Sequence, residues 1–228
     1  MPSEAPATTS RTALDEVASK RLLARYGIPV PKSALVRADE PIEERLSALT
    51  PPFALKVVAH GVLHKSDLGG VALNLAKPGE VRDAMRRMLS SPALAAHPIE
   101  GFLVEEMAPR GHELVIGGTV DRSFGPVILL GLGGIFVEIF ADVAFRVCPI
   151  TRRDAIDMVQ SLKAAPVLRG ARGGVVGAME ALIDVLLRVG GAGGLLPGEA
   201  ARIAELDINP LIVSDRGAVA ADARVILA

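Results

Sequence analysis

The stretch that decides the fold is FALKVVAHGVLHKSDLGGVALNL, residues 53–75. Its apolar runs, 53–58 and 71–75, flank a polar segment with paired glycines, which predicts two strands joined by a loop. Side chains alternate between the faces of a strand, so Lys56 projects from the face opposite to that of its two neighbours. A buried and unpaired ammonium group is energetically costly. Lys56 must therefore meet either water, on a half-solvated strand, or an anion.

The loop that follows this strand favours the anion. His64 and Lys65 can supply positive charge, and Gly69 and Gly70 leave backbone N–H groups open to a phosphate. A lone histidine in a loop is ordinarily solvated, so His64 by itself indicates no chemistry. The combination of two lysines, a histidine and paired glycines predicts a phosphate site.

Composition narrows the class of protein. The 228 residues are 50% hydrophobic, enough for one large domain or two closely joined lobes. A net charge of -1, no Trp and one Tyr argue against a nucleic-acid partner. The only cysteine, Cys148, is predicted to be a buried strand thiol and suits a cytoplasmic protein. Residues 1–11 are predicted to be a disordered leader rather than a signal peptide, and no apolar stretch is long enough to span a membrane.

Hydrophobic periodicity predicts alternating helices and strands, followed by a half that is rich in antiparallel hairpins. The first helix is expected to start at a capping pair formed by Thr12 and Asp15 and to close before Gly27. Helices are predicted at about 12–26, 41–49, 79–89, 151–163 and 175–189. Strands are predicted at 32–36, 53–58, 71–75, 102–107, 113–120, 126–130, 135–140 and 143–147, with a last pair at 204–213 and 218–225.

The last strand pair carries a second chemical signal. If residues 214–217 close a simple hairpin, counting outward places Asn209 opposite Asp222 and Asp207 opposite Arg224. Opposed residues have Cβ atoms about 5 Å apart, so the Asn209 and Asp222 oxygens can converge on one point. Such hard oxygen ligands suit Mg²⁺. A kinked edge strand with a solvated Asp222 fits the same spacing, and Asp207 with Arg224 fits a cross-strand ion pair.

Five motifs in order resemble a known family. They lie at residues 53–75, 103–107, 111–113, 131–138 and 206–211. Together they resemble the ATP-grasp subunit of ADP-forming acyl-CoA synthetases and, more distantly, the nucleotide-binding part of the succinyl-CoA synthetase beta subunit, from about residue 12 to the C-terminus. The resemblance implies an α/β (α+β) ATP-grasp fold with nucleotide bound between two lobes. Each lobe is expected to hold a mixed or antiparallel sheet with flanking helices. One lobe covers about 27–103, and the other covers about 104–228 together with the N-terminal helix.

The resemblance assigns the nucleotide-binding residues. Lys56 matches the lysine that reaches nucleotide phosphate. Residues 103–107 match the hinge whose backbone reads the adenine edge, with Glu105 at the hinge and Met107 as a wall of the base pocket. Glu113 matches the acid that accepts hydrogen bonds from the ribose hydroxyls, although by itself it reads as a solvated start of a strand.

The resemblance also assigns metal and phosphate-carrying residues. Asn209 and Asp222 match the family's Mg²⁺ positions, in agreement with the hairpin register. His64 matches a histidine that relays phosphate between the nucleotide and a phosphohistidine of the partner subunit, whereas the succinyl-CoA branch has no matching histidine. Neutral imidazole is nucleophilic near neutral pH, and Lys65 can offset the charge of a phosphorylated ring. Roles stay open for the turn at 131–134, for Glu138 and for Arg146.

The function implied by this resemblance is half of an enzyme that interconverts acyl-CoA, ADP and phosphate with carboxylate, CoA and ATP. The implied ligands are ATP or ADP and Mg²⁺, and the implied partner is a CoA-binding alpha subunit, in a heterotetramer. Two alternatives stay open, a stand-alone ATP-grasp carboxylate–amine ligase and a non-catalytic nucleotide-binding module. The acyl pocket is expected in the partner subunit, and the choice of ATP over GTP is expected to depend on loops of this chain.

Overall fold

The computed structural model describes residues 11–59, 65–133, 142–163, 165–168 and 176–228. Within these ranges, no helix is long and apolar enough to cross a membrane. The strands are β1 (Thr12–Ala13), β2 (Ser33–Val36), β3 (Phe53–Ala59), β4 (Val71–Leu75), β5 (Ile99–Glu106), β6 (His112–Asp121), β7 (Gly125–Leu132), β8 (Val143–Val147), β9 (Ile203–Ser214), β10 (Gly217–Ala220) and β11 (Ala223–Leu227). The helices are α1 (Glu16–Arg25), α2 (Ile42–Arg45), α3 (Pro78–Leu89), α4 (Arg152–Ser161), α5 (Ala165–Leu168), α6 (Val176–Gly190) and α7 (Leu195–Gly198).

These strands form two sheets. The smaller sheet has the order β2-β5-β3-β4, and the larger has the order β1-β11-β9-β6-β7-β8, with β10 paired to β9. The pairings between the described strands are antiparallel. Helices flank both sheets, so the predicted α/β fold is confirmed.

Strand β3 shows why the smaller sheet forms. One face of β3 carries Phe53, Leu55 and Val57, and all three belong to a buried apolar cluster. Val81 and Met85 of helix α3 belong to the same cluster. Burying these side chains removes apolar surface from water, which drives the helix onto the sheet. The predicted alternation is confirmed, because Lys56 projects from the other face and contacts α1 instead.

Helix α1 belongs to the larger core. Its Leu22 and Leu23 are buried in the cluster that also holds Leu182 and Leu186 of α6 and the apolar side chains of the larger sheet. The N-terminal helix therefore packs with the second half of the chain, although the strand that follows it pairs into the smaller sheet. Strand β5 stays in the smaller sheet up to Glu106, three residues beyond the boundary expected at 103.

The start of α1 differs from the prediction. Asp15 alone caps the helix, since its carboxylate accepts a hydrogen bond from the backbone N–H of Ala18 at 2.6 Å. Thr12 was expected to share this role, which is wrong. It lies in β1 and pairs with Leu227. The closing of the larger sheet by the two chain ends thus overrides a local capping signal.

Other predicted helices and strands agree with the structure to different degrees. The helix expected at 41–49 shortens to Ile42–Arg45, with Leu46 as its C-cap. Thr151 does cap α4, in a capping box with Asp154. The strand expected at 135–140 and residues 1–10 of the expected leader lie outside the described residues.

Candidate functional site

Lys56 meets anions supplied by the chain itself. Its Nζ lies 2.6 Å from Glu16 Oε1, 3.0 Å from Glu105 Oε2 and 2.7 Å from the carbonyl oxygen of Ala221, and the residue is 7% exposed. An ammonium group has three N–H donors, so these three oxygens satisfy it. Burial alone would lower the pKa of Lys56, but the carboxylates of Glu16, Glu105 and Asp222 outweigh it and raise the pKa above its ordinary value.

Lys20 joins the same buried cluster from helix α1. Its Nζ lies 2.6 and 2.7 Å from the two carboxylate oxygens of Glu105, 2.9 Å from Glu16 Oε1 and 2.7 Å from the carbonyl oxygen of Ala221. Glu105 belongs to the smaller sheet, whereas Lys20 and Ala221 belong with the larger one. The cluster therefore joins the two halves of the molecule through buried ion pairs.

Glu16 is the centre of this cluster. Its Oε1 contacts Lys56 and Lys20, and its Oε2 lies 2.7 Å from Nζ of Lys65, at the start of the described part of the predicted phosphate loop. Burial alone would raise the pKa of Glu16. The ammonium groups of Lys56, Lys20 and Lys65 outweigh it and hold the pKa at about 2.

This depressed pKa predicts a loss of stability in acid. The pKa of Glu16 is 4.5 ordinarily and about 2 in the fold. Its contribution to the free energy of unfolding is therefore complete above pH 4.5 and is lost as the pH falls to about 2. We expect that loss to be about 3 kcal/mol. Urea unfolding at several pH values measures it, with Glu16→Gln as the comparison. An equal acid loss in the variant would contradict the assignment to Glu16.

The hairpin register predicted for the last strands is confirmed. Ala218 pairs with Val213, Arg224 pairs with Asp207, and Asn209 donates its backbone N–H to the carbonyl oxygen of Asp222 at 3.2 Å. Asp222 directly follows Ala221, the residue whose carbonyl oxygen binds Lys20 and Lys56. Asn209 and Asp222 therefore lie beside the lysine cluster.

The electrostatics of Asp222 fit a cation site. Burial and the nearby Glu16 carboxylate raise the pKa of Asp222, against the opposing effect of Lys56, Lys20 and Lys65. Its charged form is thus under-compensated, and a bound cation would stabilise it. The described residues hold no group of three or more His, Cys, Asp and Glu that could ligate a metal alone. The Asn209 and Asp222 oxygens suit Mg²⁺, which completes its octahedron with phosphate and water.

The remaining predicted residues surround this region. Met107 is half-buried, and its backbone N–H donates to the carbonyl oxygen of Pro52 at 3.0 Å. Glu113 is exposed near the start of β6, where Gly133 donates its backbone N–H to the Glu113 carbonyl oxygen at 2.7 Å. A Cβ on Gly133 would lie 2.9 Å from that oxygen, so only glycine allows the approach. His64, Gly134 and Glu138 lie outside the described residues.

Two predicted residues make contacts that their sequence context did not indicate. The Glu105 carboxylate points into the lysine cluster, so its side chain binds ammonium groups. Arg146 donates to the carbonyl oxygen of its neighbour Phe145.

The sequence interpretation missed Glu16 and Lys20. They are four residues apart on α1 and form an ion pair within one helical face. Both are 5% exposed, next to the fully buried Ser19. An acid and a base at this spacing usually lie on a solvated face, so the pattern alone did not distinguish them. The only signal in the sequence was that both residues lie in a predicted helix whose apolar residues repeat at helical spacing.

The chain has two antiparallel sheets with flanking helices, and its fold is that of the ATP-grasp class of α/β proteins. The sequence comparison gives the same class, because the ATP-grasp domain family matches residues 5–227. The chain belongs to that family.

Individual relatives narrow the comparison. The chain is 40% identical over 216 residues to the beta subunit of acetate–CoA ligase (ADP-forming) I of Pyrococcus furiosus, covering 94% of this chain and 91% of that protein. Among solved structures it resembles the dinucleotide-forming acetyl-coenzyme A synthetase 1 of Ca. Korarchaeum cryptofilum in complex with coenzyme A and Ca-AMPCP. The TM-score is 0.87 at 40% identity, over 95% of this chain and 93% of that one. A second structure of that enzyme, with Mg-AMPPCP and a phosphohistidine segment pointing towards the nucleotide-binding site, gives a TM-score of 0.80 at 40% identity, with the same shares of the chains covered.

Proposed function

We propose that this chain is the nucleotide-binding beta subunit of an ADP-forming acyl-CoA synthetase. It transfers phosphate between ATP or ADP and a phosphohistidine of a partner alpha subunit, during the interconversion of acyl-CoA, ADP and phosphate with carboxylate, CoA and ATP. One observation carries the proposal. Lys56 of the smaller sheet lies 2.7 Å from the Ala221 carbonyl oxygen, next to Asp222 of the larger sheet, so a phosphate-binding cation and a metal-binding acid adjoin. The similarity to acetate–CoA ligase beta subunits supports the reaction class.

The nucleotide is bound by residues from both lobes. Lys56 neutralises phosphate charge, which is the main contribution that a protein makes to phosphoryl transfer. Residues 103–107 form the hinge beside the adenine. Glu105 contributes through its carboxylate, which holds Lys56 in place, because its backbone is paired with Ser33 and Ala54 of the neighbouring strands. Met107 walls the base pocket, and the exposed Glu113 carboxylate accepts hydrogen bonds from the ribose hydroxyls.

Asn209 and Asp222 hold Mg²⁺. When bound, the ion neutralises phosphate charge and orients the transferred group. The strand register sets Asn209 and Asp222 opposite each other. Burial raises the pKa of Asp222, so a bound cation would stabilise its charged form.

His64 carries the phosphate between the nucleotide and the partner. In a relative of the same family a phosphohistidine segment points towards the nucleotide-binding site, which supports phosphate transfer between the nucleotide and a phosphohistidine. The partner is a CoA-binding alpha subunit that holds the acyl pocket, and the assembly is a heterotetramer. A cytoplasmic location suits a chain whose single cysteine, Cys148, is a free buried thiol.

Calorimetric titration of the purified chain with ADP, with and without Mg²⁺, tests this function. We expect Asp222→Asn to weaken Mg²⁺-dependent ADP binding about tenfold or more, because one of two ligand oxygens loses its charge. Asp215→Asn, an exposed site in the neighbouring turn, is the matched control. The raised pKa means that charging Asp222 costs stability above that pKa, so the asparagine variant should melt no lower than wild type at neutral pH.

Three results decide between this function and the alternatives. If Asp222→Asn binds Mg²⁺ and ADP as wild type does, the metal assignment is wrong. If the chain alone shows full acyl-CoA synthetase activity, the division of labour with an alpha subunit is wrong. Release of ADP on adding an amine, without any CoA-binding partner, would favour a stand-alone ligase. Co-purification from the native source identifies the partner.

A further inference from the structure

Glu16 has no assigned part in binding nucleotide or metal, although it contacts Lys20, Lys56 and Lys65. We infer that Glu16 competes with the nucleotide phosphates for Lys56 and Lys65, and so sets the affinity of the site for each phosphate group. This inference rests on the proposed nucleotide-binding function. It assigns to Glu16 the place of a built-in anion that the ligand must displace.

The first argument is the saturation of Lys56. Its ammonium group already lies within 3.0 Å of three oxygens, so a phosphate oxygen can bind only by replacing one of them. The Ala221 carbonyl is part of the backbone between β10 and β11 and also binds Lys20. Glu105 is held by Lys20 through both of its oxygens at 2.6 and 2.7 Å, whereas Glu16 shares the single oxygen Oε1 between Lys56 and a longer contact of 2.9 Å with Lys20. Glu16 is therefore the acceptor that Lys56 exchanges for phosphate.

The second argument is the charge of the cluster. Three carboxylates, of Glu16, Glu105 and Asp222, face three ammonium groups, of Lys20, Lys56 and Lys65, so the formal charges cancel. A neutral cluster attracts a polyphosphate weakly, because each lysine is already compensated. Removing the charge of Glu16 leaves one net positive charge in a buried site, where Coulomb interactions are much stronger than in water.

The third argument is that Glu16 is fixed more firmly than the lysine side chains that contact it. Glu16 lies in the first turn of α1, which is fixed in the larger core through Leu22 and Leu23. Lys65 begins the described part of the phosphate loop, and its side chain is 15% exposed, more than that of Lys56 at 8%. The ammonium groups can turn from the carboxylate to an entering phosphate, while Glu16 stays in place. Lys65 is the more accessible of the two.

The experiment compares adenosine, AMP, ADP and ATP as ligands of the full chain, by calorimetry at fixed Mg²⁺. We expect Glu16→Gln to leave adenosine affinity unchanged and to tighten ADP and ATP binding about tenfold or more, in proportion to phosphate charge. Higher salt should reduce the gain. A merely structural effect of the substitution would change affinity for all four ligands alike.

Glu43→Gln is the matched control, because Glu43 is also in the first turn of a helix but is exposed and pairs with Arg82. Glu16→Asp keeps the test open if the glutamine variant fails to fold. The shorter aspartate side chain cannot contact Lys56 and Lys65 together. This variant should therefore show a smaller gain in nucleotide affinity, in the same order of ligands. Weaker or unchanged ADP binding in the Glu16 variants overturns the inference and leaves the proposed function standing. Failure of wild type to bind ADP removes both.

Discussion

Replacing Lys56 with methionine is expected to abolish measurable ADP binding and to lower the free energy of unfolding by about 3 to 5 kcal/mol. Methionine keeps the length of the side chain but removes its charge. Glu105 would then keep Lys20 as its partner in the cluster and Glu16 would keep Lys20 and Lys65, so the three carboxylates of Glu16, Glu105 and Asp222 would face two ammonium groups. Breaking a buried ion pair by removing one partner is costly for this reason.

Urea unfolding measures the stability loss, and calorimetry with ADP measures the binding loss. Lys77→Met is the control, since Lys77 is exposed at the start of α3 in the same lobe and its side chain makes no capping hydrogen bond. Double substitution with Glu16→Gln should recover part of the stability, because it removes one of the stranded charges. Wild-type ADP affinity in Lys56→Met would contradict the phosphate role of this lysine.

Replacing His64 with alanine is expected to reduce turnover of the complex reconstituted with the proposed alpha subunit about a thousandfold or more. The imidazole is the proposed nucleophile, and an alanine side chain cannot form a phosphoramidate. ADP affinity of the chain alone should stay unchanged, because the proposed nucleotide ligands are Lys56 and residues of the larger lobe. A loss of turnover with intact binding separates a carrier role from a binding role.

His97→Ala provides the matched control in the same lobe, at a half-buried histidine in the segment that follows α3. Turnover from γ-labelled ATP, with quantification of acid-labile phosphate on the chain, measures both the rate and the carrier. Unchanged turnover in the His64 variant would remove this residue from the mechanism. Equal losses in the two histidine variants would indicate a general effect on the lobe.

Much of the fold follows from local sequence patterns. The alternation in β3 placed Phe53, Leu55 and Val57 towards one core and Lys56 away from it, and the structure agrees. The register of the last hairpin followed from counting outward from one turn. Both succeed because the period of a strand and the pairing of a short hairpin are local properties of the chain.

The start of the first helix could not be predicted in the same way. Thr12 has a good capping side chain, yet it pairs with Leu227 in a strand formed by the two ends of the chain. That pairing joins residues more than two hundred positions apart, and no local propensity encodes it. Long-range sheet closure decided between two locally acceptable states.

The sequence by itself determined the strands, the hairpin register and the presence of a lysine that needs an anion, since each depends on periodicity or on the cost of burying a charge. Only the tertiary structure decided which anion Lys56 meets. Glu16 lies 40 residues away in the sequence, and Glu105 lies on a neighbouring strand. Both reach Lys56 because α1 packs with the larger core while Glu16, at its start, contacts the smaller sheet. Ion pairs between distant segments depend on how helices and sheets are packed together, and no spacing within a single element specifies that arrangement.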